Sequence, residues 1–148
     1  MNNLIMAAVA TSLLAIAAPA NAAVSITGTL NLETTGTRNW FDPANGRVPA
    51  SYANSTGPTV TVGSGVEFGY QAFLLYTADF SAKNLLIDST EIPAGVTVTA
   101  LVISFTSDID GYFDGATLVD DSFGGTLALT GNTLTFSTPR ASSGARSA

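Results

Sequence analysis

The chain has 148 residues and a net charge of −6, because 11 acidic residues stand against only five basic ones. It contains neither cysteine nor histidine, which excludes disulfide bridges, thiol chemistry and nucleophiles activated by a histidine. Nucleic acid and anionic membrane surfaces are bound by clustered cations, so the acidic balance also argues against both partners.

The first 22 residues have the pattern of a cleaved signal peptide. Residues 4–18 form an uncharged apolar run, Pro19 ends it, and Ala20-Asn21-Ala22 provides the small-x-small motif that signal peptidase recognises. The run is shorter than the about 20 residues of a membrane span. No Lys or Arg precedes it, so a retained N-terminal helix is the alternative. The sequence predicts a signal-peptide helix, cleavage before Ala23 and export of a mature chain with no stable membrane span.

The mature chain begins with a strand pattern and continues into a long loop. Residues 23–33 alternate apolar and polar side chains with a period of two, which is typical of a strand with one buried face. Residues 34–58 contain three prolines and no sustained periodicity, with turn signals at Asp42-Pro43 and Asn45-Gly46. Loops this long are uncommon in compact domains and are often functional.

The rest of the chain repeats short strand patterns separated by Gly and Pro turns. Strands are predicted over 59–61, 66–70, 71–80, 84–88, 96–105, 126–129 and 133–136. Gly131-Asn132 is a tight hairpin signal between the last two. The tail 138–148 lacks large apolar residues, which predicts disorder. The pattern therefore predicts one all-β domain over 23–137, an antiparallel β-sandwich or jelly roll.

The long loop carries the only Trp of the chain, Trp40, next to Phe41 and followed by Tyr52. Flat aromatic faces pack well against sugar rings, so these three residues are candidate carbohydrate-binding residues. Neighbouring polar side chains, Arg38 among them, could bond the sugar hydroxyls. The alternative is that the aromatic rings fold under the loop and close one end of the sandwich.

The densest acidic cluster is the segment 108–114, which contains Asp108, Asp110 and Asp114. Calcium takes several oxygen ligands that converge from a tight turn, so these three residues are candidate Ca²⁺ ligands. The spacing does not fit the helix–loop–helix calcium loop, because Tyr112 stands at the third ligand position. The alternative is that Asp and Gly cap turns through backbone hydrogen bonds.

Two further patterns are weaker. Glu67 and Asp79 lie on predicted strands, but their spacing predicts no carboxylate pair of the kind that a glycosidase needs. The segment Asn54-Ser55-Thr56 matches the N-glycosylation pattern, which is common by chance. The sequence therefore predicts a protein without catalytic activity.

Three segments of the mature chain form a recognisable pattern: residues 61–68, Thr-Val-Gly-Ser-Gly-Val-Glu-Phe, then residues 76–87, with Asp-Phe-Ser at 79–81, and finally Phe113-Asp114-Gly115. Together these segments resemble exported bacterial proteins of the PEP-CTERM class, which exosortases sort. The resemblance covers about residues 59–137 and implies an exported β-sandwich linked to the cell envelope or to an extracellular polysaccharide matrix. It implies no catalytic residues. The chain departs from the class at its C-terminus, where residues 138–148 show neither the sorting motif nor the apolar span.

The sequence as a whole favours a secreted, non-catalytic β-sandwich that is a component of the cell surface or extracellular matrix. The alternative is a carbohydrate-binding module that uses the 38–52 loop. Extracellular polysaccharide is the expected partner in both cases, and no cofactor is expected apart from the Ca²⁺ considered above.

Overall fold

The computed structural model describes residues 10–15, 23–32, 38–71, 75–81, 84–89, 101–121 and 124–138. Within these ranges the chain forms ten β-strands and two short 3₁₀ turns, at Pro43–Asn45 and Ala53–Thr56. The strands are β1 (Ala10–Ala15), β2 (Ser25–Leu32), β3 (Thr59–Thr61), β4 (Phe68–Gln71), β5 (Leu75–Phe80), β6 (Asn84–Ser89), β7 (Leu101–Ser107), β8 (Thr117–Asp121), β9 (Thr126–Thr130) and β10 (Thr133–Thr138). The predicted all-β fold is confirmed.

The strands form two five-stranded antiparallel sheets. Sheet A has the order β4-β5-β6-β1-β8, and sheet B has the order β3-β2-β7-β10-β9. In β2 and β7 every second residue is buried, which is the period-two pattern that the sequence shows. Each sheet therefore has one face in a common core and one face outside.

Phenylalanine rings from both sheets join the core. The ring centroid of Phe105 in sheet B lies 5.4 Å from that of Phe68 and 5.0 Å from that of Phe80, both of sheet A. These distances are typical of tilted and edge-to-face aromatic pairs. Gly28 of β2 lies directly under the Phe68 ring, where a Cβ atom would collide with the ring carbons. A glycine in the middle of β2 therefore lets the two sheets approach each other.

The predicted N-terminal helix is not found for residues 10–15, which instead form the strand β1. This strand pairs with β6 on one side, from Ala10 opposite Ser89 to Ala15 opposite Asn84, and with β8 on the other. Leu14 is fully buried in the core. Hydrogen bonding and packing on both sides decide the conformation here, because tertiary contacts readily override the helix propensity of Ala and Leu. The sandwich thus includes residues that the sequence analysis placed before the domain.

Most predicted strands are confirmed with small changes of boundary. The tight turn at Gly131-Asn132 joins β9 and β10 as predicted. The strand β8 was not predicted. Residues 96–100 of the predicted 96–105 strand and residues 139–148 of the predicted disordered tail lie outside the described ranges. Among the helical segments that the structure describes, none is long and apolar enough to cross a membrane.

Candidate functional site

The 38–52 loop is fastened to sheet B by the side chain of Asn39. Its Oδ1 accepts hydrogen bonds from the backbone N–H groups of Leu30 and Phe41, both at 3.0 Å, and its Nδ2 donates to the carbonyl of Gly28 at 3.1 Å. The backbone N–H of Trp40 also donates to the carbonyl of Leu30 at 2.8 Å. The start of the loop is therefore held by the backbone of β2.

The tip of the loop is closed by its own polar side chains. Asp42 caps the first 3₁₀ turn, because its Oδ1 accepts from the N–H of Ala44 at 2.9 Å. Asn45 donates to the carbonyls of Asn39 and Trp40 and accepts from the N–H of Arg47. The turn residues that the sequence analysis recognised thus act as local backbone partners.

The three candidate carbohydrate-binding aromatics do not form an exposed platform. Trp40 is 8% exposed and packs on Tyr70 with a centroid distance of 4.9 Å, and Phe41 is fully buried between Phe68 and Phe105. The half-buried ring of Tyr52 lies against Gly69, where a Cβ atom would collide with it. The rings instead fold under the loop, which is the alternative that the sequence left open. Their apolar area is removed from water there.

A polar pocket of about 400 Å³ lies on the outside of the same loop. Its lining residues are Arg38, Asn39, Asp42, Ala44 and Asn45. The Arg38 guanidinium carbon is 5.1 Å from the centre of the Trp40 ring, a cation–π distance that orients the charged group at the pocket. The buried Trp40 therefore supports a polar site rather than forming an apolar one.

Asn54 joins the loop to the edge of sheet A. This fully buried amide donates from Nδ2 to the carbonyls of Phe41 at 2.8 Å and Gly69 at 3.1 Å, and its Oδ1 accepts from the N–H of Gly69 at 3.0 Å. Both side-chain donors and the acceptor are thus engaged. In the folded chain the Asn54-Ser55-Thr56 pattern is not accessible for glycosylation, because its asparagine nitrogen is buried and already bonded.

The three candidate calcium ligands are engaged in separate contacts. Asp108 Oδ1 accepts from the N–H of Ser25 at 2.8 Å, and Asp110 Oδ1 accepts from the Nδ2 of Asn132 at 2.7 Å. Asp114 closes the turn, and its N–H donates to the carbonyl of Gly111. The described residues include no group of three or more acidic side chains placed to hold a metal ion. The geometry therefore gives the calcium prediction no support.

Glu67 is a deeply buried carboxylate, at 1% exposure. Its Oε1 accepts from the N–H of Gly63 at 2.8 Å and its Oε2 from the N–H of Phe80 at 2.7 Å. Burial raises the pKa of Glu67, the two N–H groups oppose this shift, and the charge of Asp79 adds to it. Both oxygens are occupied by backbone donors, so the carboxylate holds the 63–67 turn against β5.

The outer face of sheet B is an uncharged surface of hydroxyl groups. The register places fifteen strand positions on this face, of which twelve are Thr or Ser and none carries a charge. These positions are Ser25, Thr27, Thr29 and Asn31 of β2, Thr59 and Thr61 of β3, Val102, Ser104 and Thr106 of β7, Thr126, Ala128 and Thr130 of β9, and Thr133, Thr135 and Ser137 of β10. We call this surface the hydroxyl face.

The hydroxyl face is ordered by side-chain pairs between strands. The row Thr59, Thr27, Thr106, Thr133 and Thr130 crosses all five strands, each residue directly opposite the next. Hydroxyl oxygens lie 2.8 Å apart in two of these pairs, between Thr27 and Thr59 and between Thr106 and Thr133. Sequence reasoning missed this surface, although alternating Thr and Ser in several strands is the signal that would have indicated it.

The surface of the domain therefore offers two candidate contact areas, a small polar pocket beside Arg38 and the broad hydroxyl face. Comparisons of this chain with models of known protein families, with curated proteins and with solved structures give no match.

Proposed function

We propose that this protein is an exported, non-catalytic β-sandwich that serves as a component of the bacterial cell surface or extracellular matrix, with the hydroxyl face as its contact with neutral polysaccharide. The observation that carries the proposal is the absence of charge from all fifteen strand positions of that face in a chain with a net charge of −6. The apolar run 4–18, the cleavage motif Ala20-Asn21-Ala22 and the resemblance to exosortase-sorted proteins support the export part of the proposal.

A neutral polysaccharide suits the hydroxyl face for physical reasons. Thr and Ser hydroxyls both donate and accept hydrogen bonds, as sugar hydroxyls do, and the Thr methyl groups add apolar contact. Neighbouring strands are about 4.8 Å apart and equivalent side chains along a strand about 7 Å apart, so the groups repeat along two directions. Each contact is weak, and affinity for a long polymer comes from many of them at once. Such binding depends little on salt, because no ion pair is involved.

Export is tested by fractionating the bacterium that makes the protein. We expect the protein in the medium, the periplasm or the matrix fraction, and we expect mass spectrometry to find Ala23 as its first residue. The control is the variant Ala22→Arg, which removes the small residue at the cleavage position and should leave the segment uncut. A cytoplasmic chain that keeps residues 1–22 would contradict the proposal.

The second candidate function is sugar binding at the pocket beside Arg38. The observation that favours it is the pairing of a cation with a carboxylate in one concave, polar site, since the oxygen of Asp42 that does not cap the turn remains for a ligand. Arg and Asp side chains bond vicinal sugar hydroxyls through charge-assisted hydrogen bonds, which are the stronger kind. In this case a short oligosaccharide is the ligand, not a polymer surface.

One binding experiment separates the two surfaces. Sedimentation with insoluble cellulose, chitin and a neutral β-glucan is compared for the unmodified chain and for Thr29→Lys, Arg38→Gln and Thr77→Lys. Thr29→Lys places a charge on the hydroxyl face and should weaken binding about tenfold, since desolvating a new unpaired charge costs more than about 1.4 kcal/mol. Thr77→Lys makes the same change on the outside of sheet A and is the matched control.

The outcomes are distinct. Loss of binding with Thr29→Lys alone supports the hydroxyl face, and loss with Arg38→Gln alone supports the pocket. Equal binding by all four proteins contradicts both surfaces. Circular dichroism of each variant checks that the fold is retained.

A further inference from the structure

Each sheet of the sandwich has two edge strands, and these four edges are protected to different degrees. An unprotected edge strand offers unpaired N–H and C=O groups to another chain, so natural proteins cover, shorten, bend or charge their edges. Sheet A ends at β4 and β8, and sheet B ends at β3 and β9.

Three edges are protected. The backbone of β4 is covered by the long loop, because the N–H of Gln71 donates to the carbonyl of Arg47 at 2.8 Å and the Asn54 side chain bonds both the N–H and the carbonyl of Gly69. The strand β3 has only three residues, directly after Pro58. The strand β8 is paired irregularly with β1, with a register shift between Leu13 and Leu14, and it ends in an acidic residue.

The edge at β9 lacks each of these protections. Its five residues, Thr-Leu-Ala-Leu-Thr, include no charge and no proline, and they pair with β10 without a register shift. Leu129 is 42% exposed. The two-residue turn makes Thr130 and Thr133 a hydrogen-bonded pair, and the alternation of an antiparallel ladder then directs the N–H and C=O groups of Leu127 and Leu129 away from β10. Within the described ranges, no strand other than β10 is hydrogen-bonded to β9.

The sequence of β9 reads the same in both directions, Thr126-Leu127-Ala128-Leu129-Thr130. We propose that β9 pairs antiparallel with β9 of a second copy of this chain, around a two-fold axis at Ala128. A two-fold interface brings the same surface patch of both copies together, so it requires a self-complementary strand. In this register Thr126 lies opposite Thr130 of the second copy, and Leu127 lies opposite its Leu129.

The proposed pairing satisfies the groups that the single chain leaves open. The outward N–H and C=O groups of Leu127 and Leu129 bond those of the second copy. The exposed part of Leu129 is covered by Leu127 of the second copy, on the core side of the sheet, where Leu127 already packs against the core. On the outer side, Thr126 and Thr130 of the second copy form a hydroxyl pair like that of Thr106 and Thr133, which are 2.8 Å apart.

The assembly goes beyond the proposed function and does not depend on export or on polysaccharide. The two copies of sheet B become one continuous sheet, and the two hydroxyl faces become one surface of twice the width. A repeating polymer could then contact an array of hydroxyl groups twice as large as that of one copy.

Engineered cysteines test the register, because the chain has no cysteine of its own. With Ala128→Cys the two new thiols face each other across the axis in a non-hydrogen-bonded pair with Cα atoms about 4.5 Å apart, which suits a disulfide. Mild oxidation should convert this variant to a covalent dimer. Thr126→Cys alone should not cross-link, because its two copies lie about 13 Å apart along the strands. A mixture of Thr126→Cys and Thr130→Cys should cross-link between the two variants.

A second measurement does not depend on cysteine chemistry. Analytical ultracentrifugation of the full chain should show a concentration-dependent dimer of twice 15.1 kDa. Leu129→Lys should raise the dissociation constant at least about tenfold, because it places two charges at the apolar contact. The control is Val119→Lys, at an apolar residue of the β8 edge that is 60% exposed, which should not affect the dimer. A monomer at all concentrations, or equal cross-linking of Ala128→Cys and Thr126→Cys, would overturn the proposal.

Discussion

Replacing Asn54 with alanine is expected to lower the free energy of unfolding by about 3–5 kcal/mol. The change leaves two carbonyls, of Phe41 and Gly69, and the N–H of Gly69 without their side-chain partners. These groups are buried, and an unsatisfied buried backbone group costs about 1–3 kcal/mol. The same change also removes the side-chain link between the loop and sheet A, while the backbone bond between Gln71 and Arg47 remains. Urea unfolding followed by circular dichroism measures the loss.

Two variants keep this prediction specific. Ser55→Ala changes the next residue, which makes no side-chain hydrogen bond of this kind, and should cost less than about 0.5 kcal/mol. Asn54→Asp keeps the acceptor for the Gly69 N–H but removes both donors and buries a charge, so it should be at least as destabilising as alanine. A loss below about 1 kcal/mol for Asn54→Ala would show that water replaces the amide at little cost.

Replacing Glu67 with glutamine is expected to destabilise the fold, and by more in acid than at neutral pH. Glutamine has one acceptor oxygen, so it can serve either Gly63 or Phe80, and the other backbone N–H then faces an amide N–H at a cost of about 1–3 kcal/mol. The pKa of Glu67 is raised in the folded chain because burial disfavours the charged form. Its contribution to stability is therefore complete below the unfolded value near 4.5 and is lost as pH rises through the raised value.

Urea unfolding of both proteins between about pH 4 and pH 8 measures this difference, since titrating groups that do not interact with Glu67 affect both proteins alike. The difference in the free energy of unfolding between the unmodified protein and Glu67→Gln should become smaller as pH rises. Asp79→Asn is a control with a smaller expected effect. Removing the charge of Asp79 removes one cause of the raised pKa of Glu67, so the contribution of Glu67 to stability should depend less on pH. A gap that widens with pH would contradict the assigned direction of the pKa shift.

The local patterns of the sequence predict strands well where one face is buried. The alternation in 23–33 predicts β2, and Gly131-Asn132 predicts the turn between β9 and β10, because side-chain period and turn chemistry depend on neighbours in the chain. The strand β1 could not be predicted in this way. Its conformation depends on β6 and β8, which are about 70 and 100 residues away. An apolar run with Ala and Leu is equally compatible with a helix when those partners are ignored.

The candidate site was predicted less well, for a related reason. The residue types of the 38–52 loop indicate its turns, but the direction of a ring depends on what lies beneath it. Trp40 is buried because Tyr70 of β4 offers an aromatic surface, and no local pattern connects the two. The hydroxyl face likewise depends on register, since Thr27 and Thr106 become neighbours only once β2 and β7 are aligned.

The strand β1 connects the fate of the proposed export signal with the timing of folding. Ser12 and Leu14 are fully buried in the folded chain, and Ser12 also bonds Asp121 of β8. A targeting factor can recognise an apolar segment only while it is accessible. A chain that folds first buries this segment and prevents its recognition. For an exported protein, recognition of the signal therefore competes with folding. Slow pairing of strands that are distant in sequence favours export. Under the proposed cleavage before Ala23, removal of the segment would leave β6 and β8 without the strand between them, so that the precursor and the processed protein would differ in the middle of sheet A and not only at one end.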